Sequence, residues 1–220
     1  MESVDHIEVP DKPPAALSDR VRLQIRELIH NRVLGGGHVI IEQRLAEELG
    51  VSRTPLREAL QHLEGEGMVE KGSGRSFTVR KVDFHEYLQS FKVRMLLEPE
   101  AALLAAPRAP AEAIEEVKAE IEALRSMPGE HTKAHWDSDD RLHRLIGSHC
   151  GNAVLFDTIE RLRVTTRLYE IEDVRQRVAK DLAQHLAIVE ALAARNGLAA
   201  RKAMQLHLRS LVSYSLNQVS

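Results

Sequence analysis

At 220 residues the chain is long enough for one large domain or two small ones, and either can bury a core without staples. The net charge of −3 lacks the global basic signature of a nucleic-acid binder, and the lone Cys150 excludes an internal disulfide and fits a reducing cytoplasm. Aromatics are only 4% while Leu, Ala and Glu abound, which predicts a mainly α protein, and no apolar run approaches the roughly 20 residues that span a bilayer, so no membrane contact is expected.

Residues 1–17 read as a flexible arm, because Met1 to Ala16 is acidic, proline-bearing and without the apolar core of a signal peptide. Ser18 is placed to cap a first helix from about Asp19 to Val33, with Val21, Ile25, Leu28 and Ile29 on its inner face. Gly35–Gly36–Gly37 breaks it, and a short helix from about Glu42 to Leu49 ends at Gly50. Ser52 then caps a third helix whose Leu56, Leu60 and Leu63 point inward toward Leu45 and Leu49. Met68–Lys71 and Ser76–Arg80 read as two short strands joined by Gly72–Ser73–Gly74. Three helices and a hairpin over residues 18–81 make an N-terminal winged helix-turn-helix. That segment carries 11 basic and 9 acidic side chains, so the acidic excess lies elsewhere. After a short linker, residues 84–220 predict an all-α antiparallel helical bundle. Its helices fall near 84–106, 110–126, 131–149, 153–170, 173–195 and 198–217, and Pro99 predicts a kink in the first.

The third helix carries the first candidate site. A recognition helix presents its N-terminal residues to base edges in the major groove. Here those are Arg53, Thr54 and Arg57, and arginine is suited to bidentate contact with guanine. Ser52 and the free first-turn N–H groups suit a phosphate, and Arg44 on the preceding helix suits backbone or base. Gly72, Ser73, Gly74 and Arg75 form a wing tip for the minor groove or phosphates. The competing reading makes Arg53 and Arg57 solvated charges paired with Glu58 or Glu64. The run VSRTPLREALQHLEGEGMVE resembles the helix-turn-helix signature of the GntR family of bacterial transcriptional regulators, over roughly residues 18–80. One departure is Ser76, where that family usually has glycine before the Phe of the second wing strand.

The helical region carries a second pattern. Asp139 and His143 are four apart and share a helix face. His185 lies on the stripe Val178, Leu182, Val189, Leu192, and His207 on the stripe Ala203, Leu211, Tyr214. Neutral imidazoles and a carboxylate are good ligands for a divalent ion. By spacing alone His131, His135 and His149 are equal competitors, and Asp140 competes with Asp139. The region from Phe91 onward resembles the FCD class of the GntR family, an all-helical effector-binding domain. Arg94–Met95–Leu96–Leu97–Glu98–Pro99 is similar to its opening helix, and Asp139–Asp140–Arg141–Leu142–His143 with Gly151–Asn152 to its D-x3-H helix and turn. Leu142 stands where the class usually has Phe.

This resemblance implies Asp139, His143, His185 and His207 as metal ligands, with zinc first and nickel or manganese as alternatives. It also implies a small carboxylic acid as effector. Arg94 is the first candidate for that acid's carboxylate, against a simple ion pair with Glu98, and Asn152 and Arg163 are secondary candidates. The expected protein is a cytoplasmic homodimer that reads a pseudo-palindromic operator on double-stranded DNA and acts as a repressor. Two rivals are a dimer whose metal is purely structural and a metallo-hydrolase fused to a DNA-binding head. No HExxH pair or nucleophile motif supports the latter, so no enzymatic activity is expected.

Overall fold

The computed structural model describes residues 17–74, 76–127, 132–170 and 177–219. The arm of residues 1–16, Arg75, His131 and the predicted helix start at 173–176 lie outside them. The chain divides into two compact units at Lys81–Val82.

The first unit runs α1 (Leu17–His30), β1 (Val39–Ile41), α2 (Glu42–Leu49), α3 (Arg53–Gly65), β2 (Val69–Lys71) and β3 (Ser76–Val79). Helix α1 already includes Ser18, which is therefore not its cap, and stops at His30 rather than Val33. Strand β1 was not expected. It completes an antiparallel sheet in the order β1-β3-β2, with Ile40 opposite Phe77 and Val69 opposite Val79. Three residues are too few to display an alternating period, and the partner strand comes much later in the chain. The core gathers Val21, Ile25 and Ile29 from α1, Leu45 from α2, Leu56, Leu60 and Leu63 from α3, and Phe77 and Val79 from β3. Gly50 closes α2 with φ +64, a left-handed cap that glycine adopts without strain.

The second unit contains α4 (Phe84–Ala105), α5 (Ala111–Ser126), α6 (Lys133–His149), α7 (Ala153–Tyr169), α8 (Val178–Ala193) and α9 (Gly197–Val219). Asp83 caps α4 by accepting from the Glu86 backbone N–H at 2.8 Å. Pro99 is buried inside α4, and the helix continues through it. Helix α4 packs against α6, α7 and α9, while α8 packs against α5 and α9. Tyr87, early in α4, meets Ser215, late in α9, and Glu100 pairs with Arg201 at the other end, so the two helices run antiparallel. Ala101, Ala102 and Ala105 keep the C-terminal end of α4 slim. Among the described residues no helix is long and apolar enough to cross a membrane.

Leu60 is fully buried, whereas Leu23 is 50% exposed. Leu60→Ala should lower the unfolding free energy by about 2–5 kcal/mol in urea titrations, and Leu23→Ala by about 0.5 kcal/mol or less. Equal losses would contradict the assigned core.

Candidate nucleic-acid interface and metal centre

Ser52 occupies the N-cap position of α3 in extended backbone, but its hydroxyl makes no capping hydrogen bond. Arg53, Thr54 and Arg57 follow on the exposed first turns and, with Glu42, line one surface depression. Arg57 turns to neither Glu58 nor Glu64. Its Nε lies 3.9 Å from Oε1 of Glu42, the first residue of α2. Arg44 lies apart from this depression. It pairs with Glu48 at 2.9 Å and lines a groove with Val39 and Ile41. At the wing, the Gly72 N–H donates to the Ser76 carbonyl and the Ser76 hydroxyl to the Ser73 carbonyl at 2.8 Å. Ser76 thus closes the turn with its side chain, and Gly74 takes φ +69 beside it.

In the bundle, α6 supplies Asp139 and His143, α8 supplies His185 and α9 supplies His207. One ligand atom from each lies within 4.8 Å of all the others. His185 Nε2 is 3.4 Å from both His207 Nε2 and Asp139 Oδ1, and His143 Nε2 is 3.6 Å from the same oxygen. The three imidazoles are buried, and His143 Nε2 is a buried polar atom with no hydrogen-bond partner. A polar nitrogen left so is costly unless an ion takes it up, so the donor set fits a divalent metal. Asp140 is not part of the cluster, although it is next in sequence. Its carboxylate bonds Arg163 and Arg167, each at 2.7 Å. His135 bonds the Thr132 backbone N–H and His149 sits against the Leu145 carbonyl, so neither joins the cluster.

Second partners aim the imidazoles. His143 Nδ1 lies 2.5 Å from Glu98 Oε2, and His207 Nδ1 lies 3.2 Å from Gln184 Oε1. With Nδ1–H donating, each Nε2 presents its lone pair inward. Asp139 Oδ2 accepts from Arg163 at 2.7 Å and Arg167 at 3.0 Å, which leaves Oδ1 for the imidazoles. Burial pushes the His185 pKa down to about 4, with neighbouring positive charge adding to it, and His207 falls well below its usual value for the same reasons. Both are neutral, ligand-competent bases at pH 7. Burial works against ionised Asp139 and Glu98, but the arginines and His143 beside them outweigh it and hold both well below the carboxylate range.

Beside the cluster lies a cavity of about 50 Å³, room for a few waters or a molecule of a few heavy atoms. Arg94, Arg163, Arg167, Trp136, Glu170 and Leu182 are among its walls. Arg94 lines it while donating through Nε to Glu98 at 2.5 Å and through Nη1 to Thr166 at 2.8 Å. The expected ion pair is therefore present, and Nη2 is the part of the fork not used in those two bonds. Arg163 reaches the cavity but is bound to two aspartates. Asn152 does not line it. Its side chain caps α7 by accepting from the Leu155 backbone N–H at 3.0 Å. Sequence reasoning missed Glu98 as a site residue, though its spacing of four from Arg94 named it as a partner. It also missed Arg167, which stacks on Trp136 at 3.9 Å from the ring centroid. No spacing rule links positions on different helices.

A winged helix-turn-helix with an arginine-bearing recognition helix, joined to a bundle of this kind, defines a DNA-binding transcriptional regulator. Residues 17–79 match the bacterial regulatory proteins of the gntR family, and residues 89–210 match the FCD domain. The chain belongs to the GntR family and carries the FCD effector-binding domain. It is 30% identical to the putative L-lactate dehydrogenase operon regulatory protein of Escherichia coli K12, over 89% of this chain and 84% of that one. It is 26% identical to the HTH-type transcriptional repressor RspR of the same organism, over 90% and 87%. In structure it is similar to E. coli McbR/YncC, with TM-score 0.74, 21% identity and coverage of 94% of this chain and 100% of that one. It is also similar to a putative GntR regulator from Rhodococcus sp. RHA1, with TM-score 0.70, 20% identity and coverage of 91% and 97%. The matched families and relatives are regulators, not enzymes.

The cluster gives the metal-free protein a pH signature. Between about pH 4 and 6.5 the unfolded chain binds protons that folded His185 and His207 refuse, so stability should rise with pH across that window. Glu170 works the other way. Burial lifts its pKa from 4.5 to about 7, so the folded state binds the extra proton there. Glu170→Gln should therefore steepen the rise in melting temperature between pH 4.5 and 6.5. An unchanged or shallower slope would contradict the assignment.

Proposed function

We propose that this regulator is a cytoplasmic repressor that binds a pseudo-palindromic operator as a homodimer and responds to a small carboxylic acid beside a divalent metal. The observation that carries the reading is the convergence of Asp139, His143, His185 and His207 within 4.8 Å, next to an arginine-lined cavity. These four residues hold the ion, with zinc preferred for its match to imidazole and carboxylate donors. When bound, the ion supplies a positive centre for an anionic ligand. Arg94 offers its remaining amino group to the acid's carboxylate, and Arg163 with Arg167 holds Asp139 in place. The cavity's volume favours an acid of a few carbons. At the other end of the chain, Arg53, Thr54 and Arg57 read bases. Ser52, Arg44 and the wing residues Gly72, Ser73, Gly74 and Arg75 meet the backbone or minor groove. The acid acts by binding the two arrangements of the dimer with different affinity. Repression is supported by one relative, the transcriptional repressor RspR.

A second reading, a purely structural metal, draws on one observation. Arg94, Arg163 and Arg167 are already paired with Glu98, Asp139 and Asp140. Titrating operator binding against short carboxylates decides between the two. The proposal expects at least one acid to shift operator affinity by about 5- to 150-fold. No shift with any of them would leave the structural reading.

Elemental analysis tests the metal itself. The wild-type protein should carry one divalent ion per chain, and His143→Ala and His185→Ala should lose it. Glu98→Gln removes the charge that steers His143 and should weaken the metal by about 10–100-fold in a chelator competition. Equal metal in wild type and both alanine variants would refute the ligand set.

A further inference from the structure

The depression at the start of α3 contains a residue that base-reading arguments pass over. Glu42 opens α2, and its side chain is only 7% exposed. It lines the depression with Arg53, Thr54 and Arg57, and its Oε1 is 3.9 Å from Arg57 Nε, whereas the Arg57 side chain is 52% exposed. A carboxylate in a DNA-facing surface costs phosphate affinity, because it repels the backbone the surface must approach. As a partly exposed and loosely spaced ion pair it also contributes little to stability. What it changes is where the Arg57 guanidinium is directed. An arginine drawn to a carboxylate through Nε keeps its far edge, Nη1 and Nη2, for other acceptors. Guanine presents two acceptors, O6 and N7, at the spacing that this edge matches. The contact also restricts a long side chain before DNA arrives, which lowers the entropy lost on binding.

We propose that Glu42 is a positioning residue for sequence readout. It holds Arg57 so that the Nη1/Nη2 edge meets a guanine in the major groove, and its charge discourages Arg57 from settling on a phosphate. The inference rests on the base-reading role of Arg57 proposed above.

The test uses the full-length chain and a random-sequence duplex library. Bound DNA is selected and sequenced for the wild type, Arg57→Lys and Glu42→Gln. Arg57→Lys keeps the charge and loses the fork, so it should lose preference for one G·C pair per half-site by about tenfold or more. Glu42→Gln should relax the same pair and keep the preferences elsewhere. Its affinity for unselected duplex DNA should equal or exceed the wild-type value, with a salt dependence that is steeper by up to about one phosphate contact as Arg57 is freed to meet the backbone. If Arg57→Lys alters no base preference, the reading of Arg57 falls and the inference with it. If Arg57→Lys relaxes a pair that Glu42→Gln still reads at wild-type strength, the inference alone is overturned. A Glu42→Gln protein that melts lower and loses affinity for all sequences alike would make Glu42 structural and overturn it too.

Discussion

The bundle is organised around one buried carboxylate. Glu98 sits in the interior of α4 and is shared between Arg94 on the same helix and His143 on α6. Removing a carboxylate from water costs several kcal/mol, and the cost is offset only when its oxygens are met by well-placed donors. Those donors fix geometry. Arg94 must also reach Thr166 on α7, so a slide of α4 against either neighbour would strand a buried charge. Apolar packing of Phe91, Leu142 and Ile159 tolerates small shifts far better. The polar chain therefore sets the register of three helices, and with it the direction in which His143 Nε2 points.

The same arrangement links the two sides of the cavity. Glu98 touches the imidazole of the ion site through one oxygen and the arginine of the cavity wall through the other. Arg163 and Arg167 bridge Asp139 of the cluster to Asp140 in the same way. A network in which each charge serves two partners transmits a change at one of them to the other. This gives a physical route by which the proposed anion in the cavity would be felt at the cluster.

The near-neutral charge of the chain fits what the DNA-binding unit does with its arginines. Arg22 and Arg26 are both spent on Glu66, bracing α1 against the end of α3. Arg44 is paired on its own helix, and Arg57 is faced by Glu42. These four cations face carboxylates, which lowers the charge left for indiscriminate attraction and agrees with the proposal that directed side chains at the start of α3 do the reading.

The amino-acid sequence determined most of the local elements and singled out the two candidate residue sets. The leucine spacing of α3, the glycines at 50 and 72–74, and the long helical periods after Phe84 were legible because each depends on neighbours within a turn or two. The inward placement of His143, His185 and His207 followed from the same periodicity. What the tertiary structure decided were the pairings between distant segments. Strand β1 exists because β3 returns to it, Asp139 rather than Asp140 meets the imidazoles, and Glu98 bridges two helices. A helix period states which face a side chain shares. It does not state what stands opposite that face, and every one of these outcomes was settled by what stood opposite.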